Sequence, residues 1–222
     1  MAPPGVTNHI EGMFIPDDPV GSDADFDELI RRIDHAMEDA IARTMTSKPD
    51  HLILGISSES IWGGGLGQAD VLVERIRRIA GTIGITQAAH AVPAALRSFG
   101  VKRKVALVTP YFPVSEKHLR AYVEELGYEP VRFVHLSCKS PTLIAHTTEK
   151  QLRDAMRAVN GDDVEAIVQF GANLPNARIA AEAERWLEKP VICINTVTYW
   201  HALRTTGIND KVYGFGRLLE EF

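Results

Sequence analysis

The sequence predicts an α/β protein in which parallel strands alternate with helices. Short apolar runs such as KVALVTP and EAIVQF are followed by helix-length segments with apolar residues at three- and four-residue steps. Strands separated by helices in this way are typical of β-α-β units, which build parallel sheets. The second half also partly repeats the first, since AALRSFGVKRKV (94–105) is matched by HALRTTGINDKV (201–212). This repeat indicates a pseudo-duplicated chain.

The elements of the first half follow from apolar periodicity and from residues that start helices. Ser22 and Asp23 are common N-cap residues, so we expect a helix directly behind them. Pro93 is unfavourable in the helix over 89–99 unless it lies in the first turn, because proline breaks helix interiors, so the start of this helix is left open. The predicted elements, in order, are a strand at 9–15, a helix over 26–41, the strand HLILG (51–55), the loop ISSESIWGGGLG, a helix at 71–80, a strand near 83–86 and a helix over 89–99.

The second half has a more regular alternation. Its predicted elements are the strand KVALVTP, the helix VSEKHLRAYVEELG, the strand PVRFVHL, the loop CKSPTLIAH, a helix over 148–159, the strand EAIVQF, the helix NARIAAEAERWLE, the strand PVICIN and the helix VTYWHALRTTG. We divide the chain into a first α/β domain, residues 1–100 plus 208–222, and a second one, residues 101–207. The strand and helix at 104–127 have no counterpart before 9–15. We therefore expect the first domain to lack its first β-α unit, either because the chain begins at an internal methionine or because this half is reduced.

The bulk composition excludes several classes of function. The 222-residue chain is 45% hydrophobic, which suits a globular protein with a core, and its net charge of −5 gives no bulk attraction to nucleic acid. No apolar run reaches the roughly 18 residues of a membrane span, and the N-terminus has no signal-peptide pattern. Cys138 and Cys193 lie far apart without a CxxC pair. This fits a reducing cytoplasm and predicts neither a disulfide nor a metal site.

The candidate ligand site lies in the loops that follow the strands, because open parallel sheets bind ligands beyond the carboxyl ends of their strands. These loops are 56–67, 109–113, 137–146, 171–175 and 195–198. If the two domains face each other, the loops converge on one cleft of the kind that binds small molecules.

Two of these loops suit a carboxylate. Ser57 and Ser58 supply hydroxyl groups, while Gly171, Ala172 and Asn173 supply N–H groups and an amide just before a helix start. The alternative is that the serines only cap a turn and the glycines only serve backbone geometry. The loops carry no phosphate-binding fingerprint, since GGGLGQ lacks the lysine of GxxxxGK[ST] and GxGxxG is absent.

Three further residues are candidates for catalysis. Tyr111 follows a strand in VTPYFP and can donate to a substrate oxygen, or else packs half-buried on the prolines. Cys138 and His146 lie with Lys139 in CKSPTLIAH, which offers a nucleophile, a base and a cation at a spacing that matches no known pattern. Cys138 is alternatively a small buried residue. Cys193, within the apolar strand VICIN, is expected in the core.

At these loops the sequence resembles the aspartate/glutamate racemase superfamily, and within it the branch of maleate cis-trans isomerases and arylmalonate decarboxylases. The resemblance covers most of the chain and is carried by LGISSESIWGG, VTPYFP, FGANLPNARIAAEAERWLEKPVI and NTVTYWHALRTTGI…YGFGRLLE. It implies two Rossmann-like parallel-sheet domains related by a pseudo-twofold, with the C-terminal segment packed on the first. It also implies that no cofactor is needed and that a small carboxylic acid binds between the domains. The resemblance is also compatible with a homo-oligomeric protein.

The resemblance extends to the site, with one departure. Ser57, Ser58 and Tyr111 fall on positions that resemble the carboxylate pocket of the decarboxylases. Family members also carry cysteines at the end of the third strand of each domain, where this chain has Ile56 and Gly171. Racemisation and thiolate-addition isomerisation both need a thiol at that point.

Three functions follow as hypotheses. The first is a cofactor-independent lyase that decarboxylates a small di- or oxo-acid through an enediolate. Its proton would come from one of the three catalytic candidates or from water, and the departing carboxylate would lie against Ile56, Ile61 or Trp62. The second is an isomerase of a cis-unsaturated acid, which needs a thiol in the cleft. The third is a carboxylate-binding protein that has kept the pocket and lost the catalyst.

Overall fold

Two parallel β-sheets form the centre of the fold. The computed structural model describes residues 1–19, 22–61 and 65–222. In these residues the first sheet pairs β1 (His51–Ile53) with β2 (Gly84–Thr86). The second sheet is built from β3 (Lys104–Thr109), β4 (Glu129–His135), β5 (Ala166–Gln169) and β6 (Val191–Cys193). Its spatial order is β4-β3-β5-β6 and every neighbouring pair is parallel, so the predicted α/β class is confirmed.

Helices connect the strands. Within the described residues they are α1 (Asp23–Met45), α2 (Ser58–Ile61), α3 (Gly65–Ala80), α4 (Ala88–Ser98), α5 (Glu116–Glu125), α6 (Pro141–Ala145), α7 (Glu149–Val159), α8 (Ala177–Leu187), α9 (Ile194–Thr205) and α10 (Arg217–Glu221). A short 3₁₀ turn, Pro113–Ser115, precedes α5. None of the helices in these ranges is both long and apolar enough to cross a membrane.

Side-chain caps fix the starts of two helices. The Ser22 hydroxyl accepts the Asp25 N–H at the start of α1, while the Asp25 carboxylate accepts the Ser22 N–H. Thr148 and Gln151 form the same reciprocal arrangement at α7. Each pair satisfies two N–H groups that helix geometry leaves without an intrahelical partner. The predicted helix start behind Ser22 is therefore confirmed.

The predicted strand at 9–15 is wrong. This segment has no regular secondary structure, and its Ile10 and Phe14 side chains are 93% and 80% exposed. A strand needs neighbours for stability, and the first sheet has two strands where the second has four. The alternating pattern of HIEGMFI therefore has no adjacent strand with which to pair.

Two predicted loops contain helices instead. The loop after β1 holds α2 and the start of α3, which begins at Gly65; Trp62 lies outside the described residues. The loop after β4 holds α6, where Ser140 is the N-cap and Pro141 takes the first helical position. Serine followed by proline is a common helix start, but five residues were too few to show a helical period.

Pro93 lies in the interior of α4, beyond its first turn. Proline has no N–H to donate to the carbonyl four residues earlier, which belongs to Ala89. The Tyr122 hydroxyl of α5 donates to that carbonyl at 2.8 Å. Tyr122 is 1% exposed, and its burial raises the pKa of the phenol well above its usual value. A side chain of α5 therefore replaces the hydrogen bond that proline removes from α4.

Replacing Tyr122 by phenylalanine is expected to lower the free energy of unfolding by about 1–2 kcal/mol, because it leaves the Ala89 carbonyl buried and unpaired. Urea denaturation measures this change. Pro93→Ala restores an N–H donor to the same carbonyl, so Tyr122→Phe should cost clearly less in the Pro93→Ala background. An equal cost in both backgrounds would show that the hydroxyl does not compensate for the proline.

One buried cluster contains residues from both halves of the chain. Leu96 of α4 and Leu107 of β3 belong to it, together with Val168 of β5 and Trp200 of α9. Although α9 follows the last strand of the second sheet, it packs on α4, β1 and β2. The first sheet is thus joined to the second through this helix. The division into residues 1–100 plus 208–222 and residues 101–207 stays a prediction.

A group of histidines lies where α9 meets the first sheet. The Thr86 hydroxyl oxygen lies 2.8 Å from His51 Nε2 and 3.2 Å from His201 Nδ1. Burial lowers the pKa of His51, and it also lowers the pKa of His201. The charges of His90, His51 and Arg97 lower the pKa of His201 further. Protonation of these rings therefore opposes the packing of α9 on the sheet.

We expect the protein to lose stability as pH falls below about 6.5, the pKa of histidine in an unfolded chain. The folded pKa values of His51 and His201 lie below that value, so their contribution is complete above it and is lost as pH falls through the folded pKa. Melting temperatures at about pH 7.5 and about pH 5.5 test this. His201→Gln should reduce the difference, whereas His9→Gln, on the exposed N-terminal segment, should not. An unchanged difference in His201→Gln would refute the assignment.

Candidate functional site

A cavity of about 90 Å³ lies beyond the carboxyl end of β1. Residues 53–57, at and after the end of this strand, form one part of its wall. The turn after β5 contributes Ala172, and the first two turns of α9 contribute side chains from Ile194 to Tyr199. Segments that are distant in sequence therefore meet around one small volume, at the end of the sheet where open parallel folds bind ligands.

Ser57 connects the loop after β1 with the turn after β5. It is 2% exposed and lines the cavity, and its Oγ accepts the Gly171 N–H at 3.1 Å. Ser57 therefore holds the turn after β5 at the edge of the cavity.

The start of α9 adds polar groups to the same wall. Asn195 Nδ2 donates to the Ala172 carbonyl at 2.8 Å, which engages one of its two N–H bonds. The Tyr199 hydroxyl donates to Asn8 Oδ1 at 3.1 Å. Among the described residues that line the cavity, Tyr199 has the only titratable side chain. This wall thus offers one amide donor and one group able to transfer a proton.

The structure brings some of the predicted binding residues together. Ser57 and Ala172 line the cavity, and Gly171 is hydrogen-bonded to Ser57. Ser58 is buried at the start of α2 and is not part of the cavity wall. The Asn173 amide donates at 2.7 Å to the carbonyl of the first residue of α6, which directs it away from this wall. A carboxylate role for Ser58 and Asn173 stays a prediction.

The three predicted catalytic residues lie outside the lining of the cavity. Tyr111 and Cys138 both pack, partly buried, against an apolar cluster that contains Ile144 and Leu174. Cys138 is partly buried, with its Sγ 3.6 Å from Thr147 Oγ1, and His146 is exposed at the end of α6. Their catalytic roles stay predictions.

Asn195, Thr198 and Tyr199 were missed as site residues by the sequence reasoning. The loop at 195–198 follows a strand and is a predicted candidate, but VTYWHALRTTG is predicted only as a helix. The available signal was the position of these polar residues in the first two turns of a helix that follows a strand directly. Helix periodicity does not show which face of α9 meets the cavity.

Gly171 occupies a position where a side chain does not fit. Its φ of +92° lies in the left-handed region that favours glycine, and a Cβ there would overlap the ring of Pro110. By the predicted resemblance, this is one of the two positions at which a cysteine is expected. A thiol at this position would require the turn to adopt another backbone conformation.

Cys193 is a core residue, as predicted. It is 2% exposed and packs with Ala106 and Val108 of the second sheet. Burial raises the pKa of its thiol, although N–H groups of Thr196 and Asn195 act in the opposite direction. The thiol is therefore held neutral and away from solvent.

Comparison with known proteins gives a family match over most of the chain. The family model described as arylmalonate decarboxylase matches residues 22–219. Two curated maleate isomerases also match, from Alcaligenes faecalis (25% identical over 138 residues) and Nocardia farcinica (30% over 139 residues). Each match covers 62% of this chain and 54% or 55% of the relative, so the chain spans about half the length of these curated relatives. The relatives are enzymes, and the predicted resemblance is confirmed.

Solved structures share the fold. A structure of arylmalonate decarboxylase is 25% identical with a TM-score of 0.75, and the match covers 86% of this chain and 84% of that one. A cysteine-to-serine mutant of the Nocardia farcinica maleate cis-trans isomerase, with a covalently bound succinylcysteine intermediate, has a TM-score of 0.83 at 22% identity. That match covers 99% of this chain and 89% of the isomerase chain. At this identity, the match to the isomerase shows a shared fold alone.

Proposed function

Because the chain belongs to the arylmalonate decarboxylase family, we propose that it is a cofactor-independent lyase that decarboxylates a small di- or oxo-carboxylic acid. The cavity at Ser57 would be its substrate pocket, between the two predicted domains. The observation that supports this most is the hydrogen bond from the Gly171 N–H to Ser57, which joins the two predicted carboxylate loops beside one cavity.

The chemistry follows from where charge develops. One carboxylate of the acid is held by Ser57 and the Ala172 N–H. The bond to the other carboxylate breaks, carbon dioxide leaves, and the electron pair of that bond forms an enediolate on the retained group. Preorganised donors stabilise the growing charge on its oxygens. The departing carboxylate lies against the apolar side chains of Ile56 and Ile194, where loss of charge is favoured.

The carbon of the enediolate must then take a proton. Tyr199 lines the cavity with a titratable hydroxyl, so we add it to the proton donors predicted from sequence. Its phenol gives the proton to carbon and regains one from water, which leaves the enzyme unchanged after each turnover. The product is the acid with one carboxylate fewer.

The size of the cavity points to an aliphatic substrate. Its volume is about 90 Å³, whereas an engineered cavity that holds benzene alone measures about 150 Å³. An aryl ring with two carboxylates exceeds that space, whereas malonate and its short homologues approach it. We therefore expect the enzyme to decarboxylate small aliphatic diacids faster than aryl-substituted diacids.

A maleate-type cis-trans isomerase is the second candidate, because the two curated relatives are maleate isomerases. The succinylcysteine of the solved mutant shows a cysteine bonded to the ligand in that relative. In this chain Cys193 is buried and Cys138 does not line the cavity. A protein that binds a carboxylate without turnover is the third candidate.

A panel of malonate, methylmalonate, phenylmalonate and maleate in deuterated water, followed by proton NMR, separates the three functions. Decarboxylation converts malonate to acetate, and the proton added to carbon is replaced by deuterium. We expect phenylmalonate to be converted more slowly than malonate. Conversion of maleate to fumarate that disappears in Cys138→Ser would select the isomerase. Calorimetric binding of malonate without any product would select the binding protein.

We also propose a cytoplasmic location and a homo-oligomeric state for this enzyme. The location is supported by two cysteines that are free thiols in the structure, which suits a reducing compartment. Fractionation of the native host followed by immunodetection tests the location, and light scattering of the purified protein tests the assembly. Detection outside the cytoplasm or a strictly monomeric mass would contradict these two points.

A further inference from the structure

Gln169 is a fully buried polar residue at the end of β5, directly before the turn that meets Ser57. Its side-chain nitrogen donates to two consecutive backbone carbonyls, to Phe170 at 2.6 Å and to Gly171 at 2.9 Å. An amide NH₂ group carries two N–H bonds, so each carbonyl receives one of them. Both carbonyls therefore point toward the same buried side chain.

Asn176 fixes the orientation of that amide. It is 0% exposed, and its Nδ2 donates to Gln169 Oε1 at 3.3 Å. Asn176 occupies the N-cap position of α8, where asparagine commonly caps the helix, yet its side chain makes no capping hydrogen bond. The side chain is engaged with Gln169 instead, which keeps the Gln169 NH₂ group directed at the turn.

The direction of the carbonyls sets the direction of the N–H groups. No cis peptide bond occurs in the described residues, and in a trans peptide the C=O and N–H bonds point to opposite sides. The peptide from Phe170 to Gly171 illustrates this, because its carbonyl meets Gln169 while its N–H meets Ser57. The next peptide has its carbonyl on the same Gln169 nitrogen. The Ala172 N–H is therefore directed to the side of Ser57.

Ala172 lines the cavity, and within the described residues its N–H donates to no protein acceptor. The Ala172 N–H lies on the side of its peptide opposite to Gln169, where it can donate to an anion in the cavity. Gly171 uses its N–H to hold Ser57, and Ala172 presents its own N–H to the cavity. Asn195 supports the same turn from the other side through the Ala172 carbonyl.

We propose that Gln169 is a positioning residue, which aims the Ala172 N–H at a carboxylate oxygen of the substrate, and that Asn176 holds Gln169 in place. This inference rests on the proposed function for the identity of the ligand. Gln169 does not touch the substrate, and it acts only through the orientation of the peptide between Gly171 and Ala172. Replacing Gln169 should therefore weaken anion binding more than replacing a comparable buried glutamine elsewhere in the protein.

The test compares Gln169→Met with Gln87→Met, using malonate as the probe. Both glutamines are 0% exposed, and Gln87 Nε2 donates to the Ala69 carbonyl at 2.7 Å, away from the turn. We expect similar losses of melting temperature in the two variants. Calorimetry should show that Gln169→Met binds malonate at least about tenfold more weakly than the wild type, as expected for loss of one hydrogen bond to a charged group. The malonate affinity of Gln87→Met should stay within about twofold of the wild-type value.

Amide NMR and crystallography provide readouts that stability alone does not change. Malonate should shift the Ala172 amide signal in the wild type and in Gln87→Met, but not in Gln169→Met. Equal malonate affinity and an equal Ala172 response in both variants would overturn the proposal. If the wild type does not bind malonate, the proposed function fails at this probe, and a crystal structure of Gln169→Met decides the positioning role separately. A rotated peptide between residues 171 and 172 supports that role, and an unchanged peptide overturns it.

Discussion

Gly171→Ala is expected to destabilise the protein by about 2–5 kcal/mol, one of the two largest effects that we predict. A left-handed backbone conformation costs an L-residue about 1–2 kcal/mol, and forcing extra atoms into a packed site costs about 1–3 kcal/mol more. Both costs apply at Gly171, because its φ is +92° and its Cβ would overlap the ring of Pro110. Urea denaturation of the purified variant measures the change.

Gly207→Ala is the matched control. Gly207 has a φ of +79°, but an added Cβ would find no atom within 4 Å, so only the backbone cost of about 1–2 kcal/mol applies. The difference between the two variants isolates the overlap with Pro110. Equal destabilisation in both would contradict the tight approach of the turn to Pro110. Gly171→Cys, which introduces a thiol where the resemblance predicts one, should be at least as unstable as Gly171→Ala.

Ser57→Ala is expected to reduce kcat/KM for the malonate-type substrate by about 10²–10³, the usual effect of removing one preorganised donor to a developing oxyanion. The substitution removes the hydroxyl from the cavity and leaves the Gly171 N–H without its acceptor. We therefore also expect the free energy of unfolding to fall by about 1–3 kcal/mol. Steady-state assays and urea denaturation measure the two effects separately.

Ser115→Ala controls for the loss of a buried hydroxyl. Ser115 is 0% exposed, its Oγ has no hydrogen-bond partner in the described residues, and it does not line the cavity. Its replacement should leave kcat/KM within about twofold of the wild-type value, as expected for a substitution that removes no interaction. If the kcat/KM of Ser57→Ala is also within about twofold of the wild-type value, Ser57 does not bind the reacting carboxylate.

The sequence allowed much of the second half of the fold to be predicted, because its apolar patterns agree with its tertiary contacts. KVALVTP and EAIVQF are buried strands, and the helix behind Thr148 begins where its capping residues indicate. The segment HIEGMFI has an equally suggestive pattern but forms no strand. Pairing depends on a neighbouring strand, and the local pattern does not reveal whether one exists.

The site was predictable only in part for a similar reason. The position of Ser57 and Ala172 after strands suggested that they would meet, and both line the cavity. Tyr111 has the same kind of position, but it packs against an apolar cluster that contains Ile144 and Leu174 and does not line the cavity. The contributions of Gln169 and Tyr199 depend on which neighbours their side chains reach across the fold, and one-dimensional spacing does not encode those neighbours.

A crystal structure of the protein with malonate tests the central claim most directly, since it shows where a carboxylate binds. We predict one malonate carboxylate within hydrogen-bonding distance of Ser57 Oγ and the Ala172 nitrogen, inside the cavity beyond β1. Malonate bound beside Cys138 and His146 instead, or a cavity that contains no malonate at saturating concentration, would contradict the account.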